Sequence, residues 1–171
     1  MRKISCSLIA LTCLALTPSL GRAQQIYVNE TFDYANDAAL QAKWSNPTGL
    51  SLDLGAGNLA PSAMHSGAAT VHNWLGAAFS ITPTDAMPLI LSADMWFSGA
   101  GNQRNSIGLR TGANPLFEMG FYNQLGANGL SVRLLGIGGV SGAWTELASY
   151  TALGVTPQWI HLETTFTSKS A

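Results

Sequence analysis

The chain has 171 residues, 47% of them hydrophobic and only 10% charged, with a formal net charge of −1. Without the N-terminal leader described below, five basic residues remain against nine acidic ones, a net charge of −4. That balance excludes a nucleic-acid binder, which needs a basic stripe, and the plentiful apolar residues exclude a disordered chain.

Arg2 and Lys3 open the chain, Ile4–Leu16 is an apolar run, and Gly21-Arg22-Ala23 supplies small residues around a cleavage point. This is the pattern of a secretory signal peptide over residues 1–23, cleaved after Ala23. The run is shorter than the ~20 apolar residues of a membrane span. Both cysteines, Cys6 and Cys13, lie inside it, so the exported chain has no thiol for a disulfide or a thiolate metal site. The expectation is a secreted or cell-surface protein with one domain, residues 24–171, and no membrane span in the mature chain.

Ile26–Phe32 reads as a first strand. Asn36–Trp44 is the one convincing helix, with Asn36 or Asp37 as N-cap and Leu40 and Trp44 on one face. Leu50–Leu54 alternates as a strand, and Ala68–Asn73 and Gly76–Ile81 read as short strands around Trp74. Pro88–Phe97 carries the clearest period-two pattern. Leu89, Leu91, Ala93, Met95 and Phe97 take one face; Ile90, Ser92, Asp94 and Trp96 take the other. Strands follow at 105–110, 116–122, 130–135, 144–150 and 158–166. Strands separated by Gly, Asn and Pro turns, with one short helix, predict an all-β fold: a two-sheet antiparallel β-sandwich.

Four segments carry a resemblance. Glu30-Thr-Phe-Asp-Tyr-Ala35 leads into the helix. Met64-His-Ser-Gly-Ala-Ala-Thr-Val71 contains an HSG turn. Thr84-Asp85 leads into the strand ending at Phe97, and Gln158-Trp-Ile-His-Leu-Glu163 carries a late Trp-His pair. In this order they resemble the concanavalin-A-like, laminin-G-like jelly rolls of bacterial secreted proteins, many of which end in a PEP-CTERM sorting tail. The resemblance implies a jelly roll and continues, in such proteins, past the Trp-His strand. This chain is therefore expected to be a fragment whose last strand lacks a neighbour.

A turn at Gly112–Pro115 predicts a hairpin with Arg110 opposite Glu118, Gly108 opposite Gly120 and Ser106 opposite Tyr122. The next hairpin sets Arg133 beside Glu118, and Asp94, Trp96 and Tyr122 join the same polar face. One reading is a glycan-binding surface, on which a ring stacks on the sugar and charged groups bond its hydroxyls. The other is a ladder of register-holding ion pairs, each about 0.2–1 kcal/mol. Trp74, beside Asn73 and Gly76, is the tryptophan expected to expose its ring; the remaining four are expected in packing roles. The ligand candidates are thus Trp74, Asp94, Trp96, Arg110, Glu118, Tyr122 and Arg133.

No single strand carries the Glu-x-Asp-x-Glu run of jelly-roll glucanases, and no Gly-x-Ser-x-Gly elbow or phosphate loop occurs. His161 and Glu163 face the same way as Trp159 without further ligands placed by spacing. No catalytic residue or cofactor is implied. Calcium stays open, with oxygens at Asp33, Asp53, Asp85 and Asn102. The reading that results is a secreted non-catalytic domain for carbohydrate recognition or surface attachment, with a polysaccharide or cell-surface glycan as partner. The alternatives are a jelly-roll glycoside hydrolase or polysaccharide lyase, and a purely structural extracellular domain.

Overall fold

The computed structural model describes residues 25–65, 71–112, 114–123, 128–135 and 142–168. In chain order the elements are α1 (Asp37–Gln41), β1 (Leu50–Asp53), β2 (Ser62–His65), β3 (Leu89–Phe97), β4 (Asn105–Thr111), β5 (Asn114–Tyr122), β6 (Gly129–Leu134), β7 (Thr145–Ser149), α2 (Tyr150–Leu153) and β8 (Gln158–Phe166). All sheets are antiparallel: β1-β2, β3-β8 and a four-stranded β4-β5-β6-β7 meander. The fold is all-β, consistent with a β-sandwich, and none of the three sheets closes on itself.

Period-two alternation explains how two of these sheets meet. Along β3, Leu91 and Met95 are half-buried and Phe97 is buried, while Ile90, Ser92, Asp94 and Trp96 are exposed. Leu162 and Ile160 of β8 share that inner face. It packs on Phe117, Met119 and Phe121 of β5, with Leu130 and Val132 of β6 completing the contact. Rings carry the junction: Phe97 stacks on Phe121 at 5.4 Å and on Tyr150 at 6.0 Å, and Phe117 meets Phe166 edge-on at 5.0 Å. Since β3-β8 and β4–β7 meet through these faces, their alternate residues project on opposite outer surfaces.

Four local expectations are corrected. Residues 26–32 form no strand. Phe32 takes φ +56°, and the Glu30 carboxylate accepts from the Phe32 amide at 2.7 Å and the Tyr34 hydroxyl at 2.5 Å. A side-chain bond thus satisfies the Phe32 amide, a group that a ladder would otherwise use. The helix is capped by Asn36, whose Oδ1 accepts from the Ala39 amide at 3.0 Å, and buries Leu40, but it ends at Gln41. Trp44 is drawn instead into an isolated bridge with Trp74, the Leu75 amide donating to the Lys43 carbonyl and the Ser45 amide to the Asn73 carbonyl. That bridge is the only pairing in 71–81, so the expected strand at 76–81 is absent; of the one at 68–73, residues 68–70 lie outside the described residues. Finally, the chain turns helical at Tyr150. Ser149 caps α2 by accepting from the Ala152 amide at 3.1 Å, and Gly154 at φ +83° ends it. β2, where no strand is expected, pairs with β1 from Ser62 opposite Asp53 to His65 opposite Leu50.

Candidate functional site

The β4–β5 hairpin is tighter than expected. Thr111 pairs with Asn114, Gly112 adopts φ +57°, and a bulge falls between Leu109 and Arg110. A two-residue connection with positive φ matches the twist of paired strands. Gly108 consequently lies opposite Glu118, Ser106 opposite Gly120, and Arg110 opposite Pro115, each displaced from the predicted register. Arg110 still reaches Glu118 diagonally, Nη1 to Oε1 at 4.0 Å. Arg133 pairs with Glu118 directly, as expected: Nε donates to Oε2 at 2.6 Å and Nη2 lies 2.5 Å from the same oxygen.

Beside this ladder Tyr122 and Trp144 stack at 4.2 Å with a 19° interplanar angle. The Arg133 guanidinium lies over Trp144 at 4.8 Å. The Arg104 guanidinium lies over Tyr122 at 4.7 Å and donates to its hydroxyl at 3.1 Å. Each ring is therefore covered by the other and by a cation, and both are only 7% exposed. Such contacts contribute about 0.5–2 kcal/mol each. They lock β4 to β7 together and leave no ring open as a platform. Trp144 and Arg104 were not among the predicted residues. The Arg, Tyr and Trp signals were present, but the strand register that stacks them was not.

Asp94 and Trp96 do not join Tyr122; they stand on the outer surface of β3-β8, across the apolar layer. There the register sets Asp94 opposite His161 and Trp96 opposite Trp159. The indoles are tilted at 55° with centroids 5.5 Å apart, and Trp96 is 43% exposed. His161 Nδ1 lies 2.7 Å from Asp94 Oδ1, and Asn58 Nδ2 donates to Asp94 Oδ2 at 3.0 Å. On the far side, His161 Nε2 is 4.0 Å from Glu163 Oε2. Trp74, expected to be the exposed ring, is half-buried beside Trp44, and a Cβ added at Gly76 would fall inside its ring. The exposed indole belongs to Trp96.

The Asn58 amide, and after it the His161 ring, hold the Asp94 carboxyl below the ordinary carboxylate range. A depressed folded value contributes stability that is fully present above the unfolded value of about 3.9 and lost as pH falls through the folded one. An NMR titration of the Asp94 carboxyl is expected to show its midpoint below about 3.9. Asn58→Ala is expected to move that midpoint upward. An unchanged midpoint would remove Asn58 from the account.

Three of the calcium candidates accept hydrogen bonds from within the chain. Asp53 accepts from the Gly55 amide at 3.1 Å, Asp85 from the Ser168 hydroxyl at 2.7 Å, and the Asn102 carbonyl from Asn123 at 2.9 Å. Among the described residues, no group of three or more His, Cys, Asp or Glu is placed to hold a metal ion, and no helix is long and apolar enough to cross a membrane. Compared with known proteins, the chain matches no protein-family model, no curated protein and no solved structure.

Proposed function

We propose that this chain is an exported, non-catalytic carbohydrate-recognition domain whose site is the outer surface of β3-β8. The observation that carries the reading is the cross-strand Trp96–Trp159 pair, part-exposed and directly beside the hydrogen-bonded Asp94–His161 pair. An indole face takes the apolar face of a pyranose ring, while a carboxylate held in one orientation accepts from its hydroxyls. Ile90, Ser92, Asp94, Trp96, Trp159, His161, Glu163 and Thr165 bring two carboxylates and no Lys or Arg to this surface. The ligand is therefore a neutral or amino-sugar polysaccharide; uronate and sulfated chains meet like charge. Export follows from the leader pattern at residues 1–23, and the glycan reading agrees with the jelly rolls that the chain resembles.

Titration calorimetry against soluble neutral, amino-sugar and uronate polysaccharides tests the proposal. Saturable binding of a neutral or amino-sugar chain is expected, with at least about a tenfold loss of affinity in Trp96→Ala, the order of one lost stacking contact. The proposal fails if no sugar binds, if Trp96→Ala binds as tightly as the parent, or if the polysaccharide is cleaved.

A further inference from the structure

β8 has nine residues and pairs with β3 throughout without a bulge. Among the described residues no strand pairs with its other side. Such edges are usually blunted by proline, a bulge, short length or an inward charge. Within its nine residues β8 has none of these; its inner face carries Ile160, Leu162, Thr164 and Phe166, and its His161 and Glu163 side chains point outward. The outer side of β3 is less open. A proline precedes each strand, Pro88 before β3 and Pro157 before β8; the difference is the Gln103 side chain, which donates to the Trp96 carbonyl and accepts from the Ser98 amide at 2.7 Å.

We infer that the free edge of β8 pairs antiparallel with β8 of a second copy, forming a two-fold dimer with Leu162 on the axis. Two independent features select this register. Pairing all nine residues, Gln158 through Phe166, places Leu162 opposite itself. The same alignment places His161 opposite the partner's Glu163, twice over, on the outer surface. Sliding by two residues one way sets His161 against His161, and the other way Glu163 against Glu163. Sliding by one turns the second copy over, so that its Leu162 shares a face with His161. Charge, face and length thus agree on one alignment, and an isologous contact closes on itself without propagating.

The dimer has a consequence for the proposed site. Four strands, β3-β8-β8-β3, become one sheet with both Trp96–Trp159 pairs on one surface. A polymer spanning them gains avidity through effective concentration. That gain rests on the carbohydrate reading; the dimer does not.

Sedimentation velocity on the purified protein is expected to show a reversible dimer. Glu163→Arg replaces the carboxylate facing each His161 across the interface with a guanidinium that can only donate, and is expected to raise the dissociation constant about tenfold or more, with an unchanged circular dichroism spectrum. Register is read separately. In chains with Cys6→Ala and Cys13→Ala, a His161→Cys chain is mixed with a Glu163→Cys chain. Directly opposed Cα atoms lie about 4.5–5.5 Å apart, within disulfide reach. The mixture is expected to cross-link on mild oxidation, and each chain alone to do so far less. A monomer at every concentration, meaning that something else covers the edge, overturns the inference. So does cross-linking of either chain alone as efficiently as the mixture, or a dimer indifferent to Glu163→Arg. Polysaccharide binding by a monomer would defeat the dimer and spare the site; a dimer that binds no sugar would do the reverse.

Discussion

Phe97→Ala is expected to lower stability by about 3–5 kcal/mol, the range for deleting a buried phenylalanine ring. The Phe97 side chain has no exposed surface and sits where the two layers meet, against Phe121 and Tyr150. Both neighbours are held from elsewhere. Phe121 belongs to β5, which has a strand on each side. Tyr150 donates its hydroxyl to the Gln103 carbonyl and its amide to the Asn128 carbonyl. They cannot move far into the vacated space, so the cavity term adds to the lost transfer energy. Urea denaturation followed by circular dichroism measures the change. The adjacent Trp96→Ala serves as the contrast, because its ring stands on the outer surface and its loss opens no internal cavity. If both variants lost the same stability, β3 would not be a strand with one face in the core.

The alternation that separates Phe97 from Trp96 was readable in the sequence because a strand's period depends only on local backbone geometry. For the same reason β8 was found over its full length, 158–166, and the Arg133–Glu118 contact was foreseen across a short connection. What could not be read was non-local. β3 pairs with β8 across the sixty residues between them, and nothing in either segment names the other. Without that pairing, Asp94 and Trp96 were assigned to the surface of Glu118 and Tyr122. They lie on opposite sides of the apolar layer, while their neighbours prove to be His161 and Trp159. Smaller misses have local causes. A tighter turn, Thr111 pairing with Asn114, displaced the β4–β5 register, and the bulge at Leu109/Arg110 restored only one residue of it. A serine cap and Gly154 turned the end of an apparent strand into α2.

The two outer surfaces divide the chain's polar chemistry between them. On β4–β7, the Arg104, Tyr122, Trp144, Arg133 and Glu118 side chains contact one another, so a ligand there would have to replace interactions already made. On β3-β8, the Trp96 ring keeps two-fifths of its surface in solvent, and Asp94 keeps a third of its side chain exposed. A binding surface needs groups fixed in place yet still open, and only the second arrangement provides both.

Gly120→Ala is expected to cost about 3 kcal/mol or more, because two penalties add. Gly120 takes φ +149°, a conformation that side-chain-bearing residues rarely adopt, at a cost of about 1–3 kcal/mol. A Cβ there would also drive into the Asn105 carbonyl and come within 2.7 Å of the Ser106 Cα, both backbone atoms of β4. No rotamer change relieves a backbone clash, so β4 must separate from β5 near Tyr122. Arg104, just before β4, would then leave the Tyr122 ring, and the Tyr122–Trp144 stack would lose one of its covers. Near-ultraviolet circular dichroism is expected to report the disturbed stack alongside the lower denaturation midpoint. Ser131→Ala, at the position opposite Gly120 on β6, is the control. Its fully buried hydroxyl donates to the Gly129 carbonyl at 3.1 Å, and losing that bond is expected to cost only about 1 kcal/mol with the stack intact. Equal losses from the two variants would mean that β4 and β5 are not held as closely as the glycine requires. The ring stack would then owe its closed form to something other than the narrow spacing of these strands.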